Sequence, residues 1–473
     1  MKTLNLKKTL LLIILLVCSV AGYSQLTDSL TYYLETAVKN NPTVLQRYNE
    51  YQAALQKVPQ VGSLPDPQLE IGVFLSPMEL ISGNQVADIK LMQMFPWFGV
   101  IKNAKDEMSL MAKAKFEIFR DAKLQVYYDV QRAWFDVYKV RQNIRISEKS
   151  IDLLKTIERL TLVKYKSGSI NGSTSVSTSR MSTANSPAVS SGSPGMNGMG
   201  GSSTGSTVQS ANSSPSTSMN VVSGGAGLSD VYQIQIELGD LENNIASLKN
   251  EEQVIVARLN SVLNRDLKTQ VARVELLPTE PLDILYLSVN DSMFQSNPML
   301  GMYRYEQQSL EARKKMQNKM GLPMVGLGVN YTVINKSEMS TSPMNGQDMI
   351  MPMVVLTLPI YRNKYKAMQS ESAFLKKASE QNYQATVNGL QTEYYEALQL
   401  YNDAQRRMKL YTNQSMLAQK SLDILIKTFS SSRSNLTDLL RFRQQLIDYE
   451  FKQVEAITDF NKAEARIKRL IIR

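Results

Sequence analysis

Apolar residues along this chain follow two different periods, and the places where one period gives way to the other mark out the architecture. Val126, Val130, Ala133, Val137, Val140 and Ile144 recur in steps of four and three, the spacing of a coiled-coil helix. A second seam runs through Leu439, Phe442, Leu446, Tyr449, Ala456, Phe460, Ala463, Ile467 and Leu470, interrupted by Gln453. Ile101 to Ser167 contains neither Pro nor Gly, which at 1.5 Å per residue allows one helix of roughly 100 Å. From Ile360 to Arg473 there is again no Pro, and Gly389 is the single Gly. These stretches predict long helices over about 100–167 and 361–429, returning through helices over about 228–264 and 436–473.

Between the helices the period drops to two. Leu69, Ile71, Val73 and Leu75 alternate with Gln68, Glu70, Gly72 and Phe74; Ile89, Leu91 and Phe95 alternate with Asp88, Lys90, Met92 and Met94. Further along, Val325, Leu327, Val329, Tyr331 and Val333 alternate with Gly326, Gly328, Asn330 and Thr332, and Val354, Leu356 and Leu358 share one face. Four strands follow, over about 68–76, 86–96, 324–333 and 349–358, joined in pairs by loops 77–87 and 334–349. Bulky apolar residues on one face and small or polar ones on the other suit a transmembrane barrel strand of about 9 to 11 residues.

The chain also repeats itself. Asn41-Pro42, Pro67 and Gly72 recur as Asn297-Pro298, Pro323 and Gly328, all at an offset of 256. Phe95-Pro96 matches Leu358-Pro359 at 263, and Leu228-Ser229-Asp230-Val231 matches Leu436-Thr437-Asp438-Leu439 at 208. Residues 25–265 therefore read as a first repeat and 266–473 as a second, each with the order helix, two strands, long helix, return helix. The first carries an insert, 170–226, of Ser, Gly, Thr, Asn and scattered Met with Arg180 as its one charge. Such a segment buries too little apolar surface to offset its ordering entropy and is expected to be disordered.

Lys2, Lys7 and Lys8 precede the apolar run Thr9 to Val17, with small residues at Gly22 and Ser24, the layout of a secretory signal covering 1–24. The alternative, a lipid anchor on Cys18, stays open, although Val17 stands where lipoprotein signals want a smaller residue. Removing 1–24 takes away three Lys and no acid, so the net charge of +10 falls to +7. Bases and acids alternate along the helices, which describes a solvated surface and not a nucleic-acid footprint. The chain has no His, and its one Cys lies in the signal. Imidazole-dependent nucleophiles, His-ligated metals and thiol chemistry are thereby excluded, and no cofactor and no enzymatic activity are expected.

Four strands cannot close in lipid, where an open sheet edge finds no water, and single-chain barrels start at about eight strands. The remaining strands must come from other chains. Three copies would supply twelve, enough for a lumen, whereas eight strands only just accommodate their own side chains.

In its duplicated order the chain resembles the TolC-like outer-membrane factors, the outer-membrane efflux proteins. The resemblance rests on the strand ends Phe95-Pro96-Trp97-Phe98-Gly99 and Leu358-Pro359-Ile360-Tyr361. It rests also on the turn motifs Tyr165-Lys166-Ser167-Gly168-Ser169 with Leu228-Ser229-Asp230-Val231, and Phe429 with Asn435-Leu436-Thr437-Asp438-Leu439. It implies a mainly α fold with a small membrane β part: a homotrimer whose twelve-stranded barrel continues as a helical tunnel through the periplasm of a Gram-negative bacterium. It implies a passive exit duct working with an inner-membrane pump, for example of the resistance-nodulation-division type, and a periplasmic membrane-fusion adaptor. The alternative is a secreted structural coiled-coil protein without a pore.

By the same resemblance the turns form the periplasmic tip, where Leu228, Ser229, Asp230, Asn435, Leu436, Thr437 and Asp438 would meet the adaptor. Their elementary reading is helix capping, with Ser229 or Thr437 accepting backbone N–H bonds and Asp230 or Asp438 at the positive helix end. Asp438, Arg441 and Arg443 are candidates for a gate, against the plainer reading of a solvated helix face. Methionine is abundant, at 24 residues. Thioethers suit Cu(I) or Ag(I); the pair singled out is the MxxM of Met196 and Met199 in the insert, so heavy-metal efflux is one version of the function and no metal site is assigned.

Overall fold

The computed structural model describes residues 30–170, 227–272, 276–279, 281–283, 295–431 and 435–471. The signal 1–24 and almost all of the insert, with Met196 and Met199, lie outside the described residues. In chain order the elements are α1 (Leu30–Asn40), α2 (Pro42–Gly62), β1 (Gln68–Leu80), β2 (Gly83–Phe95), α3 (Val100–Ile170) and α4 (Leu228–Val262). They are followed by α5 (Pro298–Met320), β3 (Met324–Asn335), β4 (Met349–Thr357), α6 (Arg362–Ser430) and α7 (Leu436–Leu470).

The Asn-Pro pairs do the same work twice. Asn41 precedes Pro42 at the start of α2, and its side chain accepts from the backbone N–H of Thr43 and Val44. Its amide also donates to the carbonyl of Val262 at the end of α4, at 2.8 Å. Asn297 accepts from Met299 N–H at the start of α5, and its amide donates toward the carbonyl of Leu470 at the end of α7. Proline suits the first helical position because it needs no N–H partner there. The Asn amide then satisfies a carbonyl that the end of a return helix leaves without a partner.

All six residues of the first coiled-coil seam, Val126 through Ile144, are buried, as are Leu439, Leu446, Ala456, Phe460, Ala463, Ile467 and Leu470 of the second. The helices form a layer in which α4 packs on α3, α3 on α7 and α7 on α6, with α2 against α3 and α5 against α3 and α6. At 71 residues, α3 is about 105 Å long. At the end remote from the sheet, Leu154 and Ile157 of α3, Ile234 of α4, Leu422 and Phe429 of α6 and Leu439 of α7 share one core.

The sheet is antiparallel in the order β1-β2-β3-β4, so β2 and β3 join the two halves of the chain and β1 and β4 are its edges. Its first hairpin is tighter than the expected loop over 77–87. β1 runs on to Leu80 and β2 starts at Gly83. Register shifts between Val73 and Met78, and between Gln85 and Ala87, break the period-two pattern from which the strand ends were read. Gly83 has φ +126° and lies so close to the carbonyl of Asn335 that a side chain would collide with it.

Ion pairs tie the layers together. Arg466 of α7 meets Glu393 and Glu396 of α6 at 3.1 Å each, and Arg469 approaches Glu393 at 3.8 Å. Asp121 of α3 faces this group: burial pushes its carboxyl above the ordinary 3.8, Arg469 opposes and Glu393 adds to the rise. A carboxyl whose pKa is raised by folding loses stability as pH climbs from the unfolded value through the folded one. Asp121→Asn is therefore expected to gain in melting temperature over the unmodified chain as pH rises from 4 to 7. Parallel melting curves across that range check it; a constant difference would mean that Asp121 ionises freely.

Candidate functional site: an open four-stranded sheet and a helical tip

Two surfaces carry the chemistry, one on the sheet and one at the remote helix ends. On the sheet, register decides which side chains share a face. Leu69 pairs with Leu91, Leu91 with Val329 and Val329 with Pro352; Ile71 pairs with Ile89, Ile89 with Tyr331 and Tyr331 with Ile350. This face is apolar and unprotected: Leu69, Ile71, Val73, Leu91, Val329, Val354 and Leu356 are all exposed. Contiguous exposed apolar surface on this scale marks contact with lipid or protein.

The opposite face is polar. Glu70 meets Lys90 at 3.5 Å across β1 and β2, and the Thr332 hydroxyl donates to the Asp88 carboxylate at 3.1 Å across β2 and β3. Gly326 and Gly328 lie on this face too, in register with Met94 and Met92. The apolar and polar faces thus have the separation that a membrane barrel requires of its two surfaces.

Neither layer is closed. The outward edges of β1 and β4 have no partner strand among the described residues. The flanking helices of the helical layer, α4 and α6, show apolar stripes that nothing among the described residues covers. On α4 these are Leu228, Tyr232 and Ile236, in steps of four; on α6 they are Leu410, Leu417 and Ile424, in steps of seven. The unfilled edges of sheet and helical layer belong to the same two sides, one from each half of the chain.

The remote tip holds the residues singled out by the turn motifs, with one correction. Gly227 and Asn435 are the N-caps of α4 and α7, both with extended backbone, and neither makes a side-chain capping bond. Each helix starts one residue before the positions expected to cap it. Ser229 and Thr437 therefore lie inside the first turn and do not cap. Asp230 and Asp438 keep the place in the first turn that favours a negative charge. Leu228, Ser229, Asn435, Thr437 and Asp438 are exposed, Asp230 is half-buried and Leu436 is buried.

The candidate gate residues separate. Asp438 and Arg441 are exposed, with the Arg441 guanidinium 5.7 Å from the centre of the Phe442 ring. Arg443 is only 4% exposed and binds Glu237 of α4 at 2.5 Å. Its Nε and Nη1 have no partner among the described residues, and burial holds the guanidinium below its ordinary value despite Glu237. The alternating sequence around Arg443 resembles a solvated face, and nothing local revealed Glu237, 206 residues away, as its partner. Among the described residues there is no cluster of acidic side chains able to hold a metal, and no helix long and apolar enough to cross a membrane. The second observation says nothing of a β-barrel.

The fold has solved counterparts. The outer membrane channel CmeC of Campylobacter jejuni superposes with a TM-score of 0.68 at 13% identity, over 93% of this chain and 85% of CmeC. The outer membrane protein VceC of Vibrio cholerae gives 0.65 at 11%, over 93% and 95%. CusC, described as folding with formation of a transmembrane channel, gives 0.69 at 11%, over 94% and 92%. No family model and no curated protein matches the sequence. The chain has the fold of bacterial outer-membrane channels, the fold of the TolC-like outer-membrane factors.

Proposed function

We propose that three copies of this chain close into a twelve-stranded barrel in the outer membrane, continued by a tunnel of their α3, α4, α6 and α7 helices. The trimer is an exit duct, passing substrates from an inner-membrane pump and a periplasmic adaptor to the outside, with no chemistry of its own. The observation that carries this reading is the matched pair of openings: edge strands β1 and β4 are unpaired on the same two sides on which α4 and α6 expose apolar stripes. A copy added at one side offers its β4 to β1 and its α6 stripe to the α4 stripe, and threefold repetition leaves no edge. The exposed apolar face of the sheet then meets lipid and the polar face lines water.

In this arrangement Leu228, Ser229, Asp230, Asn435, Leu436, Thr437 and Asp438 form the periplasmic tip that meets the adaptor. Asp438 and Arg441, repeated three times, are the charges available to a gate, while Arg443 ties α7 to α4. The repeated element order reads as an internal duplication.

Extraction from outer membranes in mild detergent, followed by heat-modifiable gel mobility and planar-bilayer recording, tests the reading. A trimer-sized species that shifts on heating and conducts in discrete steps is expected. A species soluble without detergent and without conductance would replace the duct by a structural coiled-coil protein.

A further inference from the structure

Methionine is sorted by face within the paired part of the sheet. In the stretch short of the register shifts, Met92, Met94, Met324, Met349, Met351 and Met353 all fall on the polar face, and the apolar face, made of Leu, Ile, Val, Phe and Tyr with Ala87, Gln93 and Pro352, has none; Met78 pairs with Gln85 beyond the shifts. On the polar face the one other large apolar side chain in these rows is Val355. Methionine as a filler of apolar gaps would serve equally well on the other side. Its confinement to the side bearing Glu70, Lys90, Asp88 and Thr332 calls for another cause.

The register brings these side chains together. Gly328 stands between Met92 and Met353 in one row, and Gly326 between Met94 and Val355 in the next. With strands about 4.8 Å apart, Met92 and Met353 are about 10 Å apart across a glycine, so the two thioethers can meet above it. Met94 already reaches inward: a Cβ at Gly326 would lie 2.6 Å from its Sδ. The two glycines leave open floor between these methionines, and Met351 and Met349 continue the same file along β4.

We propose that Met92, Met94 and Met353 form a thioether site for a soft monovalent cation, Cu(I) or Ag(I), on the inner wall of the barrel. Neutral sulfur ligands at low coordination number suit these ions and discriminate against Na⁺, K⁺ and Mg²⁺, which prefer oxygen. Lacking a ligand carboxylate or thiolate, the site holds the ion by soft coordination alone, and neighbouring thioethers allow handover along the wall. This deepens the duct reading by naming a substrate class, and it rests on that reading in taking the polar face as the lumen.

The test is calorimetric titration of the full detergent-solubilised protein with silver nitrate in chloride-free buffer, with K⁺ conductance recorded on the same preparations. Met92→Leu/Met94→Leu/Met353→Leu, which nearly preserves volume, is expected to weaken Ag(I) binding at least tenfold with K⁺ conductance unchanged. Met353→Leu alone, on the edge strand, is expected to weaken it by a smaller factor, and this holds the test open should the triple variant fail to assemble. Met196→Leu/Met199→Leu is expected to retain the affinity. Equal Ag(I) binding by the unmodified chain and the sheet variants overturns the inference, whatever the conductance. Absence of conductance together with loss of Ag(I) binding in the sheet variants would sink the duct and leave the site standing.

Discussion

Val354→Arg is expected to prevent stable insertion of the protein into the outer membrane, whereas Met351→Arg, three residues earlier on the same strand, is expected to insert normally. Both residues lie on β4 and both are exposed. Val354 pairs with Leu327 on the apolar face and Met351 with Asn330 on the polar face. An Arg facing lipid near mid-strand costs about 2–4 kcal/mol in a transmembrane barrel. The proposed trimer would repeat that cost in each copy, so the sum would rival the whole stability of an ordinary domain. An Arg facing a water-filled lumen incurs no such penalty. Heat-modifiable mobility of the outer-membrane fraction reads both variants; equal trimer yield from the two would remove the assignment of faces.

The second large effect is expected at Glu237. Arg443 lies almost entirely within the core formed with Leu439, Leu440, Leu446 and Ile447, and Glu237 is its one charged partner among the described residues. Glu237→Ala leaves a buried guanidinium without compensation, and breaking such a pair typically costs about 3–5 kcal/mol. Because Glu237 keeps some solvent contact, the lower end of that range is expected. Arg443→Met removes the charge while keeping an unbranched side chain, and is expected to be near neutral or stabilising. The double variant Glu237→Ala/Arg443→Met should then recover most of the loss. Thermal unfolding followed by helix content checks all three, and a Glu237→Ala chain within about 1 kcal/mol of the parent would show that water reaches the guanidinium.

Much of this architecture was legible because it depends on local period. The two coiled-coil seams need only the recurrence of apolar residues every three or four positions, and all six residues of the seam from Val126 to Ile144 are buried. The strand faces needed only alternation, up to the points where bulges near Val73 and Gln85 interrupt it. Helix starts were less legible: Ser229 and Thr437 have capping side chains, yet Gly227 and Asn435 hold the extended backbone from which the helices begin. Capping chemistry in a sequence identifies the neighbourhood of a start and leaves the residue to backbone conformation.

The amino-acid sequence by itself determined the element order, the alternating strand faces, the length of the helices and the absence of imidazole chemistry. Each of these follows from residue types at short separations along one segment. Tertiary structure decided the rest, because it depends on which distant segments meet. Only the pairing of β2 with β3 and β3 with β4 sets Met353 across Gly328 from Met92. Only helix packing makes α4 and α6 the flanking helices and closes Glu237 onto Arg443. A one-residue slip in strand register would turn every methionine to the other face, and register is fixed by the burial and turn geometry of the whole sheet, not by any strand alone.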